Sequence, residues 1–435
     1  MPANLLYSND SVARYPGSWY ADSVNLPEAL PDLQESLHCD ACIVGAGFTG
    51  LSAALQLAKA GLNVIVLDAH RAGWGASGRN GGQLGSGQRR EQADLEAIYG
   101  LERAQALWDI AEQSKSLVTG LIDQYDIECD FRPGIVHADH KARYSEETNR
   151  YVEKLRRDYG YHQIEFASRQ ETADLLGTDV YHSASIDFGA GHLHPLKYAL
   201  GLAQAARSAG ARIFEETEVR QITTSDPASV QTRNGTVTAQ FLILACNGYL
   251  GDLNTEVATR VMPINNYIIA TEPLPPGLSA GIIRNNMAVA DSRFVVNYFR
   301  KSADNRLLFG GRESYGYKFP KDIKRFVRKA MINIYPQLAD TRIDYGWGGT
   351  LAITMNRLPH VKSLADNVFS ASGYSGHGLG MATLSGKLVA EAVCGQHDGF
   401  AVMENIEHRR FPGGVSLRSP LLKLAMLYYS LRDRL

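Results

Sequence analysis

The chain has 435 residues, enough for two or three domains with sizeable cores. Its formal charge of −2 argues against nucleic acid or a strongly anionic partner, and 45% hydrophobic with 21% charged residues is ordinary globular composition. Five cysteines, no apolar run of membrane length and an N-terminal MPANLLYSND without a basic-then-apolar leader give the expectation of a soluble, cytoplasmic protein.

The first informative element is Asp40–Val44 (DACIV), a short apolar run that suits a buried parallel strand. Cys39 and Cys42 form a CxxC at its start, but on a strand two residues three apart point to opposite faces, and no second CxxC follows. They read as structural thiols. Gly45-Ala-Gly47-Phe-Thr-Gly50 comes next, then LSAALQLAKA with helical spacing, then Gly61 as a helix stop. A second strand, Asn63–Leu67, ends at Asp68, 18 positions beyond Gly50. Each part has a physical task in a dinucleotide site. Gly45 permits the tight turn, Gly47 the close approach to a pyrophosphate, and Gly50 the packing of helix on strand. The helix N-terminus offers N–H groups to phosphates, and Asp68 an acceptor to a ribose. The motif alone does not separate FAD from NAD.

Residues 73–87, GWGASGRNGGQLGSG, hold seven glycines where an ordinary βαβ unit would enter its next helix. Such a backbone suits an extended ligand laid along it, with amides as donors and Ser77, Arg79 and Asn80 adding side chains. Farther on, PLKYALGLAQAARSAG predicts a helix with Pro195 in its first turn and Gly210 at its stop. VQTRNGTVTAQFLILACNGYLGDL predicts a hairpin turning at Asn234-Gly235 in a type I′ turn, and DIKRFVRKAMINIYP an amphipathic helix over 322–336. Gly373-Tyr-Ser-Gly376-His-Gly378 precedes another long helical pattern. No internal repeat or low-complexity tract interrupts the chain.

VGAGFTGLSAALQLAKAG with VIVLDA and GWGASGRNGGQ resembles the FAD-dependent D-amino-acid-oxidase-like superfamily of amine oxidoreductases. SWYADS, GAGHLHPLK, SADNRLLFGG, GYSGHG and FPGG before YYSLRDRL extend the likeness over nearly the whole chain, toward the branch acting on γ-glutamylated polyamines such as γ-glutamylputrescine. The resemblance implies an α/β plus α+β fold: a discontinuous Rossmann-like FAD-binding domain from 36–88, 165–252 and 345–397, and an antiparallel-sheet substrate domain from 89–164 and 253–344. Residues 398–435 form a C-terminal tail. Its apolar SPLLKLAMLYYSLRDRL is too short to span a bilayer and is expected to pack on its own protein rather than on a membrane.

The implied activity is oxidation of an amine carbon by FAD, giving an imine that water hydrolyses to aldehyde and ammonia. FAD contacts are expected from Gly45, Gly47, Phe48, Thr49 and Gly50, then from Asp68 and Ala69. The glycine loop adds Ala76, Ser77, Arg79, Asn80, Gly81, Gly82 and Gln83. Val219 is expected near the adenine, and Ala245, Asn247 and Gly248 by the phosphates. Gly349 and the helix entry at Gly376, His377, Gly378 and Leu379 complete the set. That helix N-terminus would stabilise negative charge on a reduced ring.

Burial against aromatic walls would lower the pKa of a bound ammonium, and Trp347, Tyr298, Phe299 and Tyr374 are candidates. His377 is expected to hydrogen-bond the ring or accept a proton. A γ-glutamyl carboxylate calls for an arginine fork, from Arg300 or Arg312, with Arg89 and Arg90 as secondary candidates. GGTLAITMNRLPH has no cysteine and GWGASG no histidine, so the FAD is expected to be non-covalent. Oxygen or another acceptor would reoxidise it, leaving oxidase and dehydrogenase both open. An oxidase or dehydrogenase of N-methyl or small amino acids is the alternative on the same fold.

Overall fold

Strand Leu37–Val44 is the axis of the first sheet, pairing in parallel with Thr236–Leu244 on one side and Val64–Leu67 on the other. The computed structural model describes residues 4–314 and 316–414. Across this eight-stranded sheet the order runs His360–Ala365, Val368–Ser372, Thr236–Leu244, Leu37–Val44, Val64–Leu67 and Arg212–Phe214. The stretches Ala41–Val44, Val64–Leu67 and Phe241–Leu244 are apolar throughout because both faces are covered there. Ala41, Ile43, Val64 and Val66 meet helices Phe48–Lys59, Pro195–Ser208 and Gly378–Val393. Cys42, Val44, Ile65 and Leu67 meet the 219–261 region instead.

The hairpin predicted before this central strand forms between Ala228–Gln231 and Thr236–Leu244, with a different turn. Neither Asn234 nor Gly235 has positive φ, as type I′ requires. The Thr232 hydroxyl accepts from both of their amides, at 3.3 and 3.1 Å, and so closes a four-residue loop.

The second sheet has nine strands. Its order is Ile343–Ile353, Met262–Thr271, Leu307–Ser314, Tyr298–Lys301, Ala288–Asp291, Arg132–Asp139, Ser183–His192 and Gln83–Leu84, with Ile164–Ala167 also on Ser183–His192. All pairs are antiparallel except Ala288–Asp291 with Arg132–Asp139. Helix Ile323–Ile334, capped by the Asp322 side chain, buries Val327 and Met331 against Phe299 and Phe309 on one face. The other face looks toward the first unit.

Pairing redraws part of the expected partition. Ile164–Ala167, Ser183–His192 and Ile343–Ile353 lie in or at the edge of ranges assigned to the nucleotide unit, yet they belong to the second sheet. Helices Gln92–Tyr99 and Leu101–Gln124, from a range assigned to the substrate unit, bury Leu95, Leu107, Ile110 and Ala111 in the core of the first. Of the tail, Asp398–Glu404 is a short helix, and SPLLKLAMLYYSLRDRL lies outside the described residues. Among the described residues no helix is long and apolar enough to cross a membrane. Cys39 and Cys42 are free and buried, with thiol pKa values pushed up by desolvation, and no metal-holding cluster is found among the described residues.

Candidate active site

The turn after Leu37–Val44 is built by close approach. Gly45 has φ +109°, and a Cβ there would stand 2.8 Å from the Ala245 carbonyl oxygen. A Cβ on Gly50 would overlap the Gly45 carbonyl, so helix and turn meet only because both residues are glycine. This brings Ala245 beside the turn, while Gly248 lies against Thr350 and Leu351. Asn247, at φ +48°, accepts from the Gly373 amide at 3.0 Å and so ties the third segment to the second. Helix Phe48–Lys59 has glycine at its N-cap and only its first amide, that of Phe48, meets a side chain, Ser77; helix Gly378–Val393 has no N-cap side-chain bond. First turns of this kind leave N–H groups for an acceptor from outside the chain.

Asp68 stands at the end of its strand, accepting from the Ala46 amide at 2.7 Å and the His70 amide at 2.8 Å. Desolvation raises its pKa to about 6, with these two amides pulling the other way. It keeps accessible surface despite that enclosure, as a group lining a crevice does. Val219 is buried close by, with the Thr217 amide bonded to the Asp68 carbonyl.

The glycine loop spends most of its side chains on itself. Ser77 accepts from the Phe48 amide at 2.9 Å. Asn80 donates to the Ala76 and Ser77 carbonyls and accepts from the Gly82 amide. Arg79 is 2% exposed; it donates to the Trp74 and Gly348 carbonyls and pairs with Asp10 at 2.7 Å, leaving only Nη2 unpartnered. Gly349 lies over its side chain. Gln83 donates to the Val289 carbonyl and joins the second sheet. An N-terminal strap, invisible as such in the sequence, holds the loop from outside. Beyond Asp10, the Trp74 indole donates to the Arg14 carbonyl, Tyr15 to the Ala72 carbonyl, and His70 bridges the Ala13 amide and Leu6 carbonyl. His70 and Trp74 stack at 3.6 Å.

Four of the expected substrate-site residues are placed elsewhere. Trp347 is 2% exposed beneath the loop, its indole bonded to the Arg79 carbonyl at 3.1 Å. Tyr374 is in the core, joined to Thr49 at 2.6 Å, and Phe299 stacks on Phe309 on the helix-covered face. Arg300 is buried with every guanidinium nitrogen bonded: to the Gly81, Lys301 and Leu193 carbonyls and the Tyr20 hydroxyl. Four of its five N–H donors are spent on the protein, which leaves no fork for a carboxylate.

Arg312 departs for a different reason. Register between Met262–Thr271 and Leu307–Ser314 shifts so that Asn266 faces Glu313 and Tyr267 faces Gly311, leaving Arg312 as the extra residue of a β-bulge at φ +64°. Its guanidinium goes to the helix side, 5.8 Å from the Phe326 ring. A bulge reverses what alternation would predict. Glu313 consequently shares the Asn266 face, the side carrying Tyr298, whose hydroxyl bonds Asn266.

That face is the floor of a cleft. His137, Ala290, Tyr298 and Gly310 are successive partners across the sheet and therefore share one side. The Tyr298 ring fits because Gly81 and Gly310 have no side chain in its path. His377 enters from the opposite wall, its ring 2.9 Å from where a Gly85 Cβ would stand. Desolvation, then the charge of Arg89, lowers its pKa to about 4, so it is neutral at pH 7. His137 is depressed by the same two causes, with Asp187 acting against them. Arg89 and His137 are exposed by surface area yet enclosed enough for burial to disfavour their charged forms, which marks both as facing the cleft. Sequence reasoning ranked Arg89 low and missed His137 and Glu313. The Gly310-Gly311 pair inside a strand was the available signal for the bulge.

The FAD dependent oxidoreductase (DAO) family profile matches residues 40–392. The chain belongs to that family. This FAD-dependent oxidoreductase is 40% identical over 428 residues to γ-glutamylputrescine oxidoreductase of Escherichia coli K12, covering 98% of this chain and all of that one. It is 43% identical over 418 residues to the probable oxidoreductase OrdL of Rhizobium meliloti, covering 96% and 97% of the two chains. Glycine oxidase from Geobacillus kaustophilus shares the fold, with a TM-score of 0.70 at 21% identity over 88% of this chain and 99% of that one. FAD is the cofactor of this oxidoreductase, and amines are its substrate class. The glycine turn, the helix N-terminus at Gly378 without a capping side chain, and the crevice at Asp68 fit such a dinucleotide.

Proposed function

We propose that this oxidoreductase oxidises the terminal amine of a γ-glutamylated polyamine, such as γ-glutamylputrescine, in the cytoplasm. The observation that carries the reading is its end-to-end likeness to a protein named for that substrate. When bound, FAD would supply the two-electron oxidation: the carbon bearing the neutral amine gives up a hydride, its nitrogen gives up a proton, and water hydrolyses the resulting imine to aldehyde and ammonia.

Asp68 would accept from the adenosine ribose, and the Gly45–Gly50 turn and first helical turn would hold the pyrophosphate through the amides not already taken by Leu67, Asp68 and Ser77. Arg79, held by Asp10 and the Trp74 carbonyl, would fix the loop backbone on which the cofactor is laid. The first amides of the Gly378–Val393 helix, met by no N-cap side chain, would stabilise the negative charge that a reduced flavin carries. No cysteine stands in 348–360, and we assign non-covalent FAD.

The amine lies over the Tyr298 floor. Neutral His137 and His377, with Arg89 beside them, disfavour a second cation there, so the amine reacts uncharged. Neutral His377 keeps one ring nitrogen without a proton, an acceptor for a hydrogen of the amine. The test is direct: add γ-glutamylputrescine without oxygen to the yellow holoenzyme. Loss of the oxidised-flavin absorbance supports the assignment, and readmitted air separates oxidase from dehydrogenase. Bleaching by sarcosine or glycine, with γ-glutamylputrescine inert, overturns it.

A further inference from the structure

Gly85, Ser86 and Gly87 end the glycine loop, and each is gripped by a different neighbour. The His377 ring stands 2.9 Å from where a Gly85 Cβ would be, and the Trp108 ring 3.0 Å from where a Gly87 Cβ would be. Between them the Ser86 hydroxyl accepts from the Lys115 ammonium at 2.6 Å and meets the Tyr161 hydroxyl at 2.9 Å. Lys115 also donates to Tyr161 at 3.1 Å and pairs at 2.9 Å with Glu112, one turn back on helix Leu101–Gln124. Tyr161 donates to Asp187 Oδ1 at 2.5 Å, and the Gly189 and Ala190 amides reach the same oxygen at 3.1 Å each. Lys115, Tyr161 and Asp187 are 7%, 8% and 2% exposed. Desolvation, then the charge of Asp187, pushes the Tyr161 pKa up, so the phenol keeps the proton that these bonds need.

This group joins the two units. Ser86 and Lys115 come from the loop and a helix of the first, whereas Asp187 lies on strand Ser183–His192 of the second sheet. Asp187 faces Ile135 across the pairing, which puts it on the His137 side of that sheet, one step along the strand. His377 therefore stands against the residue before Ser86, and His137 shares a face with the far end of the group. Two hydroxyls lie between the buried ammonium and the buried carboxylate, which do not close on each other as a simple ion pair would. Buried charges can be replaced by apolar side chains with little loss of stability, so the use of this group is in what it holds in place.

We propose that Lys115, Ser86, Tyr161 and Asp187 form a positioning unit that fixes His377 relative to His137 across the amine site. Its kinetic consequence rests on the amine-oxidation reading, and its effect on the two rings does not. A reacting group displaced by about 1 Å costs about a hundredfold in rate, so a tie between the two walls bears directly on turnover.

The test follows the rings themselves. Histidine labelled with 13C at Cε1 is incorporated into the holoenzyme, and His377→Gln and His137→Gln assign two of the resonances. In the wild type the His377 signal should remain that of a neutral ring down to about pH 4. The charged and titratable groups facing it are Arg89, His137 and Lys115. Lys115→Met removes one of these cations, so the His377 titration should move to higher pH, and Lys115→Arg should bring it back. Tyr161→Phe keeps the ring edge-on to Trp108 but cuts the tie to Asp187. It should shift both histidine signals and slow flavin reduction by the amine about 10- to 100-fold, with the amine Kd little changed. Ser86→Ala, a smaller change, should act in the same sense and serves if the Tyr161 variant folds poorly. Histidine signals and reduction rates equal to wild type in Tyr161→Phe and Ser86→Ala, with only Tm lowered, would overturn the proposal. If γ-glutamylputrescine fails to bleach the wild-type flavin, the substrate reading falls, while the resonances still decide the positioning unit.

Discussion

Three histidines about 1% exposed are held neutral by this fold, and acid should therefore unfold it early. Burial lowers His192 to about 3, His194 to about 2 and His360 to about 3. His194 accepts from the Lys197 amide through Nδ1 and meets Ser23 through Nε2; His192 meets the Asn286 carbonyl. A folded pKa below the unfolded value means that the unfolded chain binds more protons, so stability is full above pH 6.5 and falls as pH drops from there toward 3. At pH 5 each contributes a loss of about 1.5 units times 1.36 kcal/mol, or about 2 kcal/mol, and the three together about 6. Asp68, raised to about 6, works in the opposite sense and returns about 1 kcal/mol over the same interval. The net loss of about 5 kcal/mol is comparable to the whole stability of many proteins. With an unfolding entropy of about 2.1 cal/mol/K per residue, 435 residues give about 0.9 kcal/mol/K, hence a fall in Tm of about 5 °C. Thermal melts of the holoenzyme at pH 7.5 and 5.0, in excess FAD and followed by far-UV circular dichroism, measure it. A Tm constant across that interval would refute the reasoning, and His360→Gln should flatten part of the slope.

Gly50→Ala places a methyl group on the Gly45 carbonyl, and the purified protein should lose its 450 nm flavin absorbance relative to 280 nm. Asp10→Ala strands the buried Arg79 guanidinium and should cost about 3 kcal/mol or more in urea denaturation, although Asp10 lies far from Arg79 in sequence. FAD affinity should weaken as pH falls through about 6, where Asp68 gains its proton, a trend that fluorescence titration of the apoprotein would show and Asp68→Asn would abolish. Arg312→Ala should change turnover by no more than about twofold, because the bulge carries that side chain to the far face; a hundredfold loss would put Arg312 back in the cleft.

What was legible in the sequence follows local rules. Gly45, Gly50, Gly61 and Asp68 announce the βαβ unit because turn, stop and strand end each select a residue type within a few positions. The helices begun by Pro195 and Asp322 were readable from period and caps. What was hidden depends on pairing at long range. Strand Ser183–His192 joins the second sheet through partners near residue 135, which periodicity does not encode. Trp347 and Tyr374 have the chemistry of walls but lie under the loop and in the core. Arg312 and Glu313 exchange faces through a single unpaired residue, and the charge of Arg300 does not show that its surroundings take four of its five donors.

The first sheet has a bearing on how the protein is made. Leu37–Val44 finds its neighbour Thr236–Leu244 about 200 residues later, and Val368–Ser372 completes the parallel core only after the whole second sheet has been synthesised. Until then the emerging chain carries an apolar half-sheet with an open edge. At ribosomal speeds of about 5–20 residues per second that exposure lasts tens of seconds. Non-local pairing of this kind slows folding and invites association through the unpaired edge. The yield of soluble enzyme should therefore respond to temperature and chaperone supply during expression, and truncation before residue 372 should leave a chain that aggregates.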